Sequence, residues 1–94
     1  MLEINRNTSR QNLTTGEIEA WLVTYMSQLF SISSNEIDVN WDIKRYGLDS
    51  SSTIALLSDL SEYIRYDLNP ELLLDYYTIK AIANYCAGIE EVIL

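Results

Sequence analysis

Apolar side chains recur every three or four residues in three separate stretches of this 94-residue chain. That period is typical of helices that bury one face and expose the other. The chain has one proline and three glycines, too few for the frequent tight turns of an all-β fold. These features predict an all-α fold, and a chain of this length has room for one domain only.

The spacing predicts three main helices and one short helix. The first covers about 16–30, with Thr15 as its N-cap. The second covers about 50–66 behind an N-cap at Asp49, the short one 71–76 and the last 78–86. A long loop, 33–49, lies between the first and second helices. The domain should span 14–88, between a flexible leader, 1–13, and a C-terminal tail, 89–94.

Each of the three main helices carries a buried stripe, which the last helix forms with Ile79, Ile82, Ala83 and Cys86. In the first helix the expected core positions are Ile18, Leu22, Tyr25 or Met26, and Leu29. In the second helix they are Thr53, Leu56, Leu57, Leu60 and Ile64. Another face of the second helix has no evident need for burial and carries Ser51, Ile54, Ala55, Ser58 and Glu62.

The chain is strongly acidic, with 14 acidic and 6 basic residues and a formal net charge of −8. This balance argues against nucleic acid and against anionic membrane surfaces as partners. Acidity either attracts a basic protein surface or only keeps the chain soluble, and charge alone does not decide between the two. The opening residues lack the apolar run of a signal peptide, and no stretch could span a membrane, so we expect a cytoplasmic setting.

The chain lacks histidine and has one cysteine, Cys86. Ser-His-Asp and Cys-His catalysis, histidine-based zinc sites and an intramolecular disulfide are therefore excluded within this chain. We predict no catalytic residue and no metal site. The expectation is a protein that is not an enzyme.

A candidate for chemistry lies where the long loop meets the second helix, in Tyr46-Gly47-Leu48-Asp49-Ser50. A serine at the start of a helix presents its hydroxyl to solvent, where another protein can reach it. Without a histidine partner the hydroxyl has no local base, so a second enzyme would have to activate it. On local chemistry alone, the simpler reading is that Asp49 and Ser50 only cap the helix.

The wider pattern resembles acyl and peptidyl carrier proteins. Gly47-Leu48-Asp49-Ser50, followed by an amphipathic helix, resembles the attachment motif of that family. The loop that enters the motif, 41–47, is also similar. Farther on, LLLDYYTIKAI at 72–82 resembles the segment that joins the third and fourth helices in polyketide-synthase carriers. The likeness covers about 15–87.

Two positions depart from the family pattern. Ser51 stands where the family usually has leucine, methionine or isoleucine, which removes an apolar contact commonly offered to partner enzymes. Tyr77 stands where proline is frequent, so the entry to the last helix is less constrained.

The resemblance implies a four-helix carrier bundle with 4′-phosphopantetheine, transferred from coenzyme A, attached to Ser50 and with Asp49 in a supporting role. Such a monomer would hold acyl groups as thioesters in polyketide or mixed polyketide–peptide biosynthesis. Its partners would be a phosphopantetheinyl transferase and enzymes that load or process the acyl group, such as a ligase, ketosynthase or acyltransferase. The resemblance places partner contacts on Ser51, Ile54, Ala55, Ser58 and Glu62.

Two other functions remain open at this point. The nearer one is a peptidyl carrier domain. The other belongs to a different class and is an unmodified acidic helical adaptor, in which Asp49 and Ser50 do no more than cap the helix.

Overall fold

The computed structural model describes residues 13–88, so the predicted tail and all of the predicted leader except Leu13 lie outside the described residues. Three α-helices form the domain: α1 (Thr15–Phe30), α2 (Ser50–Ile64) and α3 (Ile79–Gly88). Three 3₁₀ segments lie between them: Ser34–Glu36, Ile43–Tyr46 and Pro70–Leu74. The all-α prediction is confirmed. The expected short helix is of the 3₁₀ type, since Pro70 at its start is followed by only four more helical residues.

The helix boundaries differ from the predicted ones at several points, since the short helix ends at Leu74 and not 76, and the last helix continues to Gly88 and not only to 86. Two further differences, in α1 and α2, have a clear physical cause. The N-cap of α1 is Thr14 and not Thr15, because the Thr14 hydroxyl accepts the Glu17 N–H at 3.1 Å while the Glu17 carboxylate accepts the Thr14 N–H at 3.0 Å. Helix α2 ends at Ile64, two residues before the predicted end, because Arg65 adopts a left-handed conformation with φ 61°.

The core is a single cluster to which every helix contributes one face. Ile18, Leu22 and Met26 of α1 are fully buried, so Met26 and not Tyr25 completes that stripe. Helices α2 and α3 supply Leu56, Leu57, Leu60, Ile64, Ile79, Ile82, Ala83 and Cys86. The prediction for Leu29 was wrong, since this side chain is 41% exposed. At this end of α1 the half-buried Phe30 turns inward instead, toward Gly47.

An aromatic stack fixes α1 against α2. Trp21 lies between Tyr25 and Tyr63, with ring centroids 5.2 Å and 5.0 Å away. The Tyr25 hydroxyl also donates a hydrogen bond of 2.7 Å to the Asp59 carboxylate. Burial and this carboxylate raise the pKa of Tyr25 to about 12. Because Trp21 meets Tyr63 while the other end of α1 meets Gly47, the two helices are antiparallel, and the start of α2 lies beside the end of α1.

The long loop is docked onto the domain at several points. The Tyr46 hydroxyl accepts the Asp38 N–H at 2.6 Å and donates to the Asp38 carbonyl at 3.0 Å, which closes the loop on itself. The Ile43 N–H donates to the Tyr77 carbonyl at 2.8 Å, and the Lys80 N–H donates to the Val39 carbonyl at 3.0 Å. These bonds hold the loop against the start of α3 and fix the approach to α2.

Candidate functional site

A glycine turn delivers the chain to the start of α2. The 3₁₀ segment Ile43–Tyr46 ends at Gly47, which has φ 98° and donates its N–H to the Lys44 carbonyl at 3.1 Å. A side chain at this φ would be strained, which explains a glycine here. Leu48 is half-buried, Asp49 is extended, and Ser50 is the first residue of α2.

Asp49 closes a capping box with Ser52. The Asp49 carboxylate accepts the Ser52 N–H at 2.9 Å and the Ser52 hydroxyl at 2.8 Å, and the Ser52 oxygen accepts the Asp49 N–H at 3.0 Å. These hydrogen bonds, first those from the backbone and hydroxyl of Ser52, lower the pKa of the Asp49 carboxyl. The predicted N-cap is therefore confirmed, and the carboxylate next to Ser50 is a weak base.

The capping box distinguishes the three consecutive serines. The hydroxyl of Ser52 is engaged by Asp49 and the residue is half-buried, whereas Ser50 and Ser51 are exposed. Helical rotation of about 100° per residue already points the three hydroxyls in different directions, but the bond between Asp49 and Ser52 was missed in the sequence. The signal was an N-cap residue with a polar side chain three positions later, although serine is shorter than the usual glutamate or glutamine.

The lowered pKa of Asp49 predicts a contribution to acid stability. A carboxylate whose pKa is lower in the folded state adds stability that is present at neutral pH and is lost as the pH falls through the lowered value, below 3.8. Asparagine also caps helices but does not titrate. Urea titrations at about pH 6 and about pH 2.5 should therefore show a smaller acid loss for Asp49→Asn than for wild type.

The matched control for this measurement is Asp67→Asn, which replaces an exposed carboxylate outside the capping box. It should keep the full acid loss of wild type. An equal acid loss in wild type and Asp49→Asn would contradict the prediction.

The second face of α2 is open along its whole length. All five of its residues are exposed in the structure, and Ile54 leaves 60% of its surface in solvent. These residues are Ser51, Ile54, Ala55, Ser58 and Glu62. An exposed isoleucine between small polar side chains is suited to a protein contact. That this face receives partners remains a prediction.

Two grooves border this face. The one beside Ser50 has a volume of about 500 Å³ and is lined by Lys44, Leu48, Asp49, Ser50, Thr53 and Ile54. The other, of about 670 Å³, follows the second half of α2 to Pro70 and includes Ile54, Leu57, Ser58 and Glu62. An exposed hydroxyl beside an open groove fits a covalently attached, extended group.

Two kinds of site are absent from residues 13–88. No cluster of three or more acidic or cysteine side chains there could hold a metal ion. None of the helices described is both long enough and apolar enough to cross a membrane.

Comparison with known proteins agrees with this geometry. The sequence profile of the family described as "Phosphopantetheine attachment site" matches residues 20–86. The acyl carrier protein TtuC of Teredinibacter turnerae is 28% identical over 81 residues, which cover 86% of this chain and 93% of TtuC. The polyketide synthase PksN of Bacillus subtilis is 31% identical over 84 residues, and the match covers 85% of this chain but 2% of that protein.

Two solved structures share the fold. A free-standing peptidyl carrier protein from Acinetobacter baumannii superposes with a TM-score of 0.75 at 30% identity, covering 82% of this chain and 96% of that one. Asl1650, an acyl carrier protein from Anabaena with a variant phosphopantetheinylation-site sequence, gives a TM-score of 0.75 at 28% identity and covers 88% and 91%. The profile match spans most of the domain and contains the turn and helix that present Ser50. This chain therefore belongs to the phosphopantetheine attachment family and is a carrier protein, the class that bears 4′-phosphopantetheine covalently.

Proposed function

We propose that Ser50 receives the 4′-phosphopantetheine group, called the arm below. The chain then carries acyl intermediates on this arm as thioesters, in polyketide or mixed polyketide–peptide biosynthesis. The observation that carries the proposal is the placement of Ser50. It is exposed, it is the first residue of α2, and it lines a groove. Ser52, by contrast, is held in the capping box. We take 14–88 as the working carrier domain.

Attachment is a phosphoryl transfer that this chain undergoes and does not catalyse. The Ser50 oxygen forms a bond to the phosphorus that bears the pantetheine part of coenzyme A. The bond from that phosphorus to the nucleotide breaks, adenosine 3′,5′-bisphosphate leaves, and the serine proton passes to a base of the transferase. Asp49 supports the step by fixing the start of α2, since its carboxylate is occupied by Ser52.

Acyl carriage is the first choice among cargoes, and peptidyl carriage is the second. The acyl carrier TtuC, the synthase PksN and the segment at 72–82 support the first. The likeness to the free-standing peptidyl carrier supports the second. Loading of the modified protein from an acyl donor or from an activated amino acid distinguishes the two.

Carrier proteins are generally non-catalytic, and we propose the same for this chain. Its contribution is to tether the cargo, which raises the effective concentration of the acyl group at each partner's active site. We expect a monomer that acts in the cytoplasm, where coenzyme A and the transferase meet it. Its partners are then the transferase and the enzymes that load and process the acyl group.

The test of attachment is the intact mass of the purified chain after incubation with coenzyme A and a broad-specificity phosphopantetheinyl transferase. We expect a gain of one phosphopantetheine group per chain. No gain with a transferase that modifies another carrier in the same assay would contradict the proposal and favour the unmodified adaptor.

The exposed face of α2 is the proposed docking surface for partners. Charges at a rim chiefly set the association rate, whereas an apolar anchor sets the lifetime of the complex. Glu62→Lys should therefore slow modification most at low salt, and Ile54→Ala should weaken the complex at every salt concentration. The measurement is the rate of modification by the transferase across a salt series.

Glu19→Lys makes the same change in net charge on α1, outside the exposed face of α2, and serves as the control. Its modification rate across the salt series should lie closer to that of wild type than the rate of Glu62→Lys does. Wild-type rates for both Glu62→Lys and Ile54→Ala, in folded proteins, would show that partners dock elsewhere.

A further inference from the structure

The groove beside Ser50 combines one cation with apolar walls. Lys44 supplies the cation, Leu48 and Ile54 supply the apolar side chains, and Ser50 lies among them. We propose that Lys44 pairs with the phosphodiester of the arm, and that Leu48 and Ile54 contact the branched dimethyl carbon that follows the phosphate. This inference rests on the proposed attachment at Ser50.

The position of Lys44 is unusual for so acidic a chain. Only 6 of the 94 residues are basic, and two of them, Lys44 and Arg45, are adjacent in the turn that precedes Ser50. The two side chains are placed differently. The Arg45 guanidinium lies over the Trp41 ring, 4.0 Å from its centroid, whereas Lys44 lines the groove. In the described part of the chain, Lys44 is thus the cation that lines the groove beside Ser50.

The other charged group in this groove, the Asp49 carboxylate, cannot neutralise a phosphodiester. The Asp49 carboxylate is an anion, and its charge is offset by hydrogen bonds from the backbone and hydroxyl of Ser52. A phosphodiester on the next residue adds a negative charge and needs a separate counter-charge. Lys44 can supply this counter-charge with little loss of conformational entropy, because its backbone is already fixed. Its backbone N–H donates to the Asp42 carboxylate at 2.9 Å, and its backbone carbonyl accepts the Gly47 N–H at 3.1 Å. Only its side chain remains to be fixed.

The chemistry of the arm matches these walls. Its phosphorus is bonded directly to the serine oxygen, and a carbon with two methyl groups follows three bonds later. An anion at the mouth of the groove is thus followed at once by an apolar group. Ile54 is 60% exposed, so covering it with the dimethyl carbon removes apolar surface from water. The rest of the arm, with its terminal thiol, stays free for partner enzymes.

The test uses the chain after attachment, with the arm confirmed by intact mass. Nuclear Overhauser contacts between the dimethyl protons and the methyl groups of Leu48 and Ile54 report how much of the arm lies in the groove, and the ³¹P shift reports on the phosphate. Lys44→Gln should lower the groove-bound fraction by about 1.5- to 5-fold, the range of an exposed ion pair. High salt should also lower the groove-bound fraction in wild type, but it should change that fraction little in Lys44→Gln.

Lys80→Gln, which removes an exposed cation from the first turn of α3, is the matched control and should leave the contacts unchanged. Absent contacts in wild type, or equal contacts in wild type and Lys44→Gln, would overturn the inference while attachment stands. A chain that gains no arm would instead overturn the proposed function, and mass spectrometry distinguishes that failure before any spectrum is recorded.

Discussion

Replacing Ser50 by alanine is expected to abolish the gain of phosphopantetheine entirely, whereas wild type gains one group per chain. The reason is chemical, since alanine has no oxygen to bond to the phosphorus. The hydroxyl of Ser52 is engaged by the Asp49 carboxylate at 2.8 Å and cannot take over without opening the capping box. The measurement is intact mass after incubation with coenzyme A and transferase, followed by peptide mapping of the modified residue.

Ser51→Ala and Ser52→Ala are the matched controls, and both should still accept one group. Ser50→Ala should fold normally, because the capping box consists of Asp49 and Ser52 and an exposed surface change alters stability by about 0.5 kcal/mol or less. Ser52→Ala removes bonds of the box and should cost about 1 kcal/mol. Modification of Ser50→Ala at either remaining serine would contradict the assignment.

The features that could be predicted from the sequence are those set by local periodicity. Spacing placed five residues on the core face, and the four apolar ones, Leu56, Leu57, Leu60 and Ile64, are buried. The fifth, Thr53, is only half-buried and lines the groove beside Ser50. The cap at Asp49 was predictable for a similar reason, because a short acceptor before an apolar run is favoured at a helix start. The predicted exposure of the opposite face of α2 followed from the same rotation.

The features that could not be predicted depend on contacts between distant residues or on backbone geometry. Arg65 ends α2 in a left-handed conformation that glycine usually adopts, so the sequence carried no stop signal there. The hydrogen bonds between Tyr46 and Asp38 depend on how the loop folds back. The convergence of Lys44, Leu48 and Ile54 beside Ser50 follows from that docked loop and from the turn at Gly47.

The second large effect concerns the core that holds this site in place. Leu57 is 3% exposed and belongs to the cluster that joins the three helices. Leu57→Ala should lower the free energy of unfolding by about 2–5 kcal/mol, because the removed atoms lose their burial and leave a cavity. Domains of this kind are stable by only about 5–15 kcal/mol, so the loss is a large share of the total. Urea titration followed by circular dichroism measures it.

The neighbouring Ser58→Ala is the matched control, since Ser58 lies one residue farther along α2 and is exposed. Its free energy of unfolding should stay within about 0.5 kcal/mol of wild type. Helical rotation alone separates the two positions, so the pair tests the orientation of α2 directly. The same rotation keeps Ile54 and Glu62 exposed. Equal losses in Leu57→Ala and Ser58→Ala would mean that α2 presents a different face to the core, and the proposed docking surface would then be misplaced too.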